Sequence, residues 1–106
     1  GMKSATCPAG RESGQDGFPI KITDLLAQLP GTCYVTRQAV HTPLNVRRTK
    51  KAILKAFQNQ QQNKGTSIVE VVSSCNSGWK MTPVQANEWM EENMFPFYPL
   101  GDLKDK

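Results

Sequence analysis

The stretch Ser67-Ile68-Val69-Glu70-Val71-Val72 (residues 67–72) decides the fold class, because its apolar residues are nearly continuous. Such a run is typical of a strand that is buried on both faces, and strands of this kind belong to parallel sheets. A preceding segment, 32–40, is rich in β-branched and aromatic residues and predicts a second strand. The two segments therefore predict an α/β domain with a parallel pair of strands.

The segment between the two strands predicts the crossover helix that a parallel pair requires. Thr42 is the expected N-cap and Pro43 the first helical residue, and the helix is expected to run to about Gln61. Asn63-Lys64-Gly65 is a stop signal. An apolar stripe with helical spacing predicts the buried face; it consists of Val46, Ile53, Leu54, Ala56 and Phe57.

A second helix is expected after the strand at 67–72. Thr82-Pro83-Val84-Gln85 is a capping box with proline at the first helical position. Three residues are expected to face inward and three outward on this helix: Ala86, Trp89 and Met90 against Glu88, Glu91 and Glu92. Residues 94–100 form an aromatic tail that prolines interrupt.

The N-terminal part carries weaker signals. Residues 1–17 are rich in turn formers and are expected to be irregular. Residues 18–22 suggest a short extended stretch, and Thr23 suggests the N-cap of a short helix that ends at Pro30. Asp24 suits its first turn, and its apolar face is expected to consist of Leu25, Leu26 and Leu29.

These elements give a βαβα order, which we interpret as a partial parallel sheet. We expect an irregular segment at 1–17 and one domain portion at 18–106. Two or three strands leave both sheet edges open. The chain is therefore expected to be a slice of a larger α/β sheet, or to complete itself by forming a homo-oligomer.

Composition limits the class of protein. The net charge is +4, and seven basic residues with no acidic one lie between Arg37 and Lys64. Such a patch attracts nucleic acid, an acidic protein or an anionic cofactor, although it is more often the solvated face of a helix. The three cysteines are far apart and form no C-x-x-C pair. Together with the lack of a signal peptide or membrane-spanning run, this favours a reduced, cytoplasmic protein.

Few residues suggest chemistry. The loop at 73–80, with Cys75, follows the carboxyl end of a parallel strand, where open α/β sheets bind ligands; it is otherwise a connecting loop with a free thiol. Arg37 suits a carboxylate or phosphate ligand, or a structural ion pair. His41 is a proton shuttle or a surface histidine. Trp79 and Trp89 are expected to pack. No nucleotide-binding, zinc-protease or serine-hydrolase motif is present.

Six segments, in order from about residue 8 to residue 104, match the pattern of one known family. They are 17–21 with 25–27, 34–37 (Tyr-Val-Thr-Arg), 50–57, 68–71 (Ile-Val-Glu-Val), Cys75 with 78–84 (Gly-Trp-Lys-Met-Thr-Pro-Val), and 97–101 (Phe-Tyr-Pro-Leu-Gly). In this set the chain resembles the C-terminal segment of the thiamine-diphosphate-binding (beta) subunit of 2-oxoacid:ferredoxin oxidoreductases, nearest the ketoisovalerate type.

The resemblance implies a part of a thiamine-diphosphate-binding fold. The complete enzyme oxidatively decarboxylates a 2-oxoacid with coenzyme A and reduces ferredoxin. Thiamine diphosphate is held there with Mg²⁺ through a Gly-Asp-Gly … Asn motif that this sequence lacks, so no cofactor-binding or catalytic residue is expected here and the chain alone is expected to be inactive. Cys75 takes the position of a four-iron four-sulfur cluster ligand, although Asn76 and Ser77 replace the usual Pro and Thr. The expected partners are the rest of the subunit, the other subunits and ferredoxin.

Two other interpretations stay open. The basic helix suits a separate nucleic-acid- or protein-binding module, but the acidic last helix and the lack of aromatic residues on the basic arc argue against nucleic acid. The chain is otherwise a truncated relic that folds only as an oligomer.

Overall fold

A computed structural model describes residues 1–4 and 7–106 of the chain. The described elements are, in chain order, α1 (Ser13–Asp16), α2 (Ile22–Ala27), β1 (Thr32–Ala39), α3 (Pro43–Gln61), β2 (Thr66–Val72), α4 (Pro83–Trp89), a π-helical turn (Met90–Met94) and β3 (Gly101–Asp105). They form two compact units: residues 1–20 with 74–96, and residues 21–73 with 97–106. No helix in the described ranges is long and apolar enough to cross a membrane.

Residues 21–73 with 97–106, which we call the sheet unit, contain a three-stranded mixed sheet with the order β2-β1-β3. β1 and β2 are parallel and joined through α3, as the sequence predicts. The expected partial parallel sheet is confirmed for this strand pair, and the sheet as a whole is mixed, because β3 pairs with the other side of β1 in the antiparallel direction. The fold class is α/β, and β1 becomes the central strand, with one of its two sides covered by a strand that the sequence did not predict.

Burial follows this strand order. All eight residues of β1 are buried, and Val35 and Ala39 are fully inaccessible. The expectation that β2 is buried on both faces is wrong: most of its residues are only half-buried, and Val71 is 42% exposed. β2 is half-covered because it is an edge strand in the described chain, with β1 as its hydrogen-bonded neighbour.

The crossover helix α3 begins as predicted. Thr42 is its N-cap and accepts a hydrogen bond from the backbone amide of Asn45, and Pro43 is the first helical residue. The predicted buried face is confirmed only in part, since Val46 and Ala56 are half-buried while the larger residues of the stripe are exposed. Thr49, Ala52 and Asn59 are buried, whereas the predicted residues Ile53, Leu54 and Phe57 are 42%, 58% and 67% exposed.

Local contacts explain this choice of face. Ala52 and Ala56 pack against Cys33 and Tyr34 of β1. The Thr49 hydroxyl donates to the carbonyl of Ala39 at 2.7 Å. Small side chains let the helix approach the sheet closely, so the larger apolar residues of the same helix point away from it.

The short helix α2 differs from its prediction. It begins at Ile22, and residues 18–21 are not part of a strand. Thr23 does not cap it; this side chain is 2% exposed and donates its hydroxyl to Glu70 at 2.7 Å. Leu25 and Leu29 are about half exposed, at 56% and 49%, so they do not bury the predicted apolar face.

The other unit is built around α4. The capping box is confirmed: Thr82 accepts from the amide of Gln85, whose side chain accepts from the amide of Thr82. Ala86 and Met90 are fully buried, and Glu88, Glu91 and Glu92 are exposed, as predicted. Residues 1–17, which are expected to be irregular, contain the one-turn helix α1. Residues 5 and 6 of this segment lie outside the described ranges.

Candidate functional site

Arg37 is the most connected side chain of the sheet unit and is 1% exposed. Its Nε donates to Glu70 at 3.0 Å, and one terminal nitrogen donates to the carbonyl of Pro99 at 3.0 Å. The other terminal nitrogen donates to the hydroxyl of Thr23 at 2.6 Å and to the carboxylate of Asp24 at 3.1 Å. The guanidinium thus joins α2, β1, β2 and the segment before β3.

The sequence leaves two roles open for Arg37, binding an external carboxylate or phosphate and forming a structural ion pair, and this network favours the second. A guanidinium has five N–H donors, and here all three nitrogens already donate within the chain. The Tyr98 ring also lies 5.2 Å from the guanidinium carbon. Arg37 is therefore a buried structural hub and not a site for an external carboxylate or phosphate.

The loop around Cys75 has a defined backbone. The amide of Trp79 donates to the carbonyl of Cys75 at 2.9 Å, and the amide of Met81 donates to the carbonyl of Asn76 at 2.8 Å. A Cβ atom at Gly78 would lie 2.7 Å from the Cys75 sulfur, so a larger residue there would displace the thiol. The turn holds Cys75 on the surface as an exposed, free thiol.

The three cysteines do not form a metal site within the chain. Cys7 is half-buried and donates its thiol to the carbonyl of Gly10 at 3.2 Å, and Cys33 is buried beside the hydroxyl of Ser67 at 3.6 Å. In residues 1–4 and 7–106, no three His, Cys, Asp or Glu side chains lie together as metal ligands would. An iron–sulfur cluster of the implied type needs four thiolates, so the residues described here do not fit such a cluster by themselves.

The other residues suggested by the sequence are His41 and the two tryptophans. His41 is half-buried in the bend before α3. The rings of Trp79 and Trp89 lie 4.8 Å apart at an interplanar angle of 52°, which confirms that they pack.

The structure also forms a polar cleft that the sequence did not indicate. It has a volume of about 380 Å³ and lies between α3, β1 and the start of β3. Its residues are Tyr34, Gln38, Asn45, Arg48, Lys51, Ala52, Lys55, Leu100, Gly101 and Asp102. We call it the basic cleft, because three of the residues from α3 are cations.

Carboxylates influence two of the titratable groups in the basic cleft, Lys55 and Tyr34. Lys55 forms an ion pair with Asp105, and the hydrogen bond to Asp105 raises the pKa of Lys55. Burial raises the pKa of Tyr34, and the charge of Asp102 raises it further. The Tyr34 hydroxyl therefore keeps its proton near neutral pH and stays a hydrogen-bond donor.

A second depression lies on the other side of α3, beside β2. Its volume is about 370 Å³ and it is lined by Ile53, Ala56, Phe57, Gln60, Thr66, Ser67 and Val69. We call it the apolar groove. It runs between the exposed apolar residues of α3 and the edge strand β2, which is the kind of surface that monomeric proteins usually cover.

Sequence reasoning missed the basic cleft for an identifiable reason. Tyr34, Thr36 and Gln38 alternate along β1 and so lie on one face of it, whereas Arg37 lies on the other. That alternation is a readable signal for a polar pocket under α3. The far wall, Gly101 and Asp102, belongs to the unpredicted strand β3.

Two curated proteins are similar to the chain over all 106 of its residues. One is the ketoisovalerate oxidoreductase subunit VorA of Methanothermobacter thermautotrophicus, with 29% identity. The other is the protein of the same name from Methanothermobacter marburgensis, with 28% identity. The matched region makes up 22% of each relative, so the chain spans about a fifth of their length.

No family model matches the chain, and no solved structure matches it. The similarity to the two subunits supports a relation to the 2-oxoacid oxidoreductases. It agrees with the family that the sequence resembles.

Proposed function

We propose, from this relation to ketoisovalerate oxidoreductase subunits, that the chain acts as the C-terminal segment of the thiamine-diphosphate-binding (beta) subunit of a 2-oxoacid:ferredoxin oxidoreductase. The complete enzyme would oxidise a branched-chain 2-oxoacid with coenzyme A to acyl-CoA and carbon dioxide and pass electrons to ferredoxin. The observation that carries the proposal is the similarity to both relatives over the whole of the chain.

The surface of the sheet unit supports a role as part of something larger. β2 is an edge strand of seven residues and contains neither lysine nor proline, the residues that commonly protect an open edge. The apolar groove lies directly beside it, with Phe57 67% exposed. We propose that the remainder of the subunit docks here and continues the sheet from β2. The occupant is the remainder because the relatives are several times longer than the chain.

The cofactors in this proposal belong mainly to that remainder. Thiamine diphosphate and Mg²⁺ would be held by its Gly-Asp-Gly … Asn motif, and the thiamine cofactor would supply the carbanion chemistry of the decarboxylation. Cys75 is the residue of this chain that would contribute to an iron–sulfur cluster. Its exposure on a fixed turn suits a thiolate that meets its partner ligands from elsewhere in the subunit.

The purified chain is expected to show no activity of its own. With 2-oxoisovalerate, coenzyme A, thiamine diphosphate, Mg²⁺ and a viologen acceptor, the rate of viologen reduction should equal that of a blank without protein. The reason is that the chain lacks the residues that hold the diphosphate. The ketoisovalerate oxidoreductase of Methanothermobacter serves as the positive control.

Turnover by the isolated chain would contradict the proposal. A simple genetic observation tests it independently. A Gly-Asp-Gly … Asn motif is expected in the same gene or operon, and its absence from both would remove the enzyme assignment.

One observation favours a second function. Arg47, Arg48, Lys50 and Lys51 are all exposed on α3, which is the distribution expected of a nucleic-acid-binding helix. However, Asp105 neutralises Lys55, and Asp102 lies in the same cleft. A module of this kind would bind an oligonucleotide with an affinity that falls steeply as salt increases.

A further inference from the structure

The basic cleft contains two cations without a charge partner. Among the side chains that the structure describes, which leave out those of residues 5, 6 and 16, Arg48 and Lys51 make no ion pair with a carboxylate, whereas Lys55 is held by Asp105. Arg48 and Lys51 are three residues apart, so they lie on neighbouring turns of one helical face. A guanidinium fork beside an ammonium group is a common arrangement for binding phosphate.

The floor of the basic cleft is formed by neutral polar groups from β1. Tyr34 is 3% exposed and Gln38 is 9% exposed, and both line the cleft. The Gln38 amide is fixed by a hydrogen bond of 2.8 Å to the hydroxyl of Thr36. Buried, positioned groups of this kind distinguish a ligand site from a patch of solvated surface charge.

Asp102 adds a negatively charged group to the lining of the basic cleft. Its carboxylate lines the same cleft as the cations and is close enough to Tyr34 to raise the pKa of that residue. A carboxylate there repels a bare anion but accepts hydrogen bonds from hydroxyl or amino groups. The volume of about 380 Å³ is also larger than a phosphate ion needs.

From this arrangement we propose that the basic cleft binds a small organic phosphate, with the phosphate on Arg48 and Lys51 and a hydroxyl or amino group of the ligand on Asp102. The site lies within the sheet unit and does not depend on the oxidoreductase assignment. It uses basic residues that the proposed docking of the subunit remainder at the apolar groove leaves free.

The test is a titration of the ¹⁵N-labelled chain with two probes, AMP and inorganic phosphate, followed by NMR. AMP is expected to shift the amide signals of Tyr34, Gln38 and Gly101 in a saturable way and to bind at least about threefold more tightly than phosphate. Equal affinities for the two probes, or no saturable shift at these amides with either, would overturn the assignment.

Paired variants separate the site from general charge. The double variant Arg48→Gln/Lys51→Gln is expected to weaken AMP binding by about tenfold or more. The control Arg47→Gln/Lys50→Gln removes the same charge from the same helix outside the cleft and is expected to change it less than about twofold. Equal weakening by both would show diffuse attraction, as for an oligonucleotide, and would refute the site.

A third variant predicts a gain, which misfolding would not produce. Asp102→Asn removes the repelling carboxylate and is expected to increase the affinity for inorganic phosphate by about threefold. An unchanged or lower affinity for phosphate in this variant would contradict the orientation that we assign to the ligand.

Discussion

Replacing Arg37 with methionine is expected to lower the free energy of unfolding by about 3 kcal/mol, a large part of the stability of a domain of this size. Methionine fills much of the volume but donates no hydrogen bond. Glu70, Asp24 and the carbonyl of Pro99 would each lose a partner. We place the effect at the lower end of the usual range because Asp24 and Glu70 are 43% and 36% exposed, so water can solvate them in the variant. Urea unfolding followed by circular dichroism measures the change.

Two further variants serve as comparisons for the free energy of unfolding of Arg37→Met. Arg37→Lys keeps the charge but cannot reach all four partners, so its loss is expected to be smaller than that of Arg37→Met. Arg47→Met removes an exposed arginine of α3 and is expected to change the free energy of unfolding by less than about 0.5 kcal/mol. If Arg37→Met is as stable as Arg47→Met, Arg37 is not the hub of the sheet unit.

Replacing Phe57 with glutamate is expected to weaken the binding of the chain to the rest of its subunit by about 30-fold or more, while the isolated chain stays as stable as before. A large aromatic residue in the centre of an interface contributes strongly to binding, and a charge in its place would be buried without a partner. In the isolated chain this side chain is 67% exposed, so its loss costs little. The two polypeptides would be expressed separately and their affinity measured by titration calorimetry.

Val84 provides the matched control for this experiment. It is 68% exposed, lies on α4 and does not line the apolar groove, so Val84→Glu also replaces an exposed apolar residue with a carboxylate. Equal weakening by both variants would contradict docking at the groove. Gel filtration of the unmodified chain separates a further case: a stable homodimer that Phe57→Glu dissociates would mean that a second copy covers the groove.

The starts of the two helices that begin with Thr-Pro could be predicted from the sequence. Thr42-Pro43 and the capping box at 82–85 act over four residues, and proline fixes the first helical residue in both. The strand β3 could not be predicted, because Gly101–Asp105 is short and mostly polar. It is a strand because β1 offers it an unpaired side, and that is a long-range contact.

The buried face of α3 shows a second limit of sequence reasoning. The sequence predicts that Ile53 and Phe57 face the sheet together with Ala56, but of these three only Ala56 packs against it. Thr49 and Ala52, which lie outside the predicted stripe, are buried there. An apolar stripe on a helix indicates that the helix packs against something, but the stripe does not distinguish the core of the same chain from a surface outside the chain. An apolar stripe that the chain does not bury is thus consistent with docking at the apolar groove.

The sites were predictable only residue by residue. Arg37 stood out, but its partners Thr23, Glu70 and Pro99 lie 14, 33 and 62 positions away along the chain. Nothing in the local sequence identifies Thr23 as a hydrogen-bond partner; locally it reads as a helix cap. The basic cleft likewise required β3 to be in place before Asp102 met Tyr34.

The most direct test of the central claim is the thiamine diphosphate content of the chain as it is found in its own cells. The chain would be tagged on the chromosome and captured under native, anaerobic conditions, and the cofactor would be assayed by fluorescence after oxidation to thiochrome. We predict thiamine diphosphate in stoichiometric amount, together with a polypeptide that carries the Gly-Asp-Gly … Asn motif. Capture of the chain alone or only with copies of itself, without this cofactor, would contradict the account.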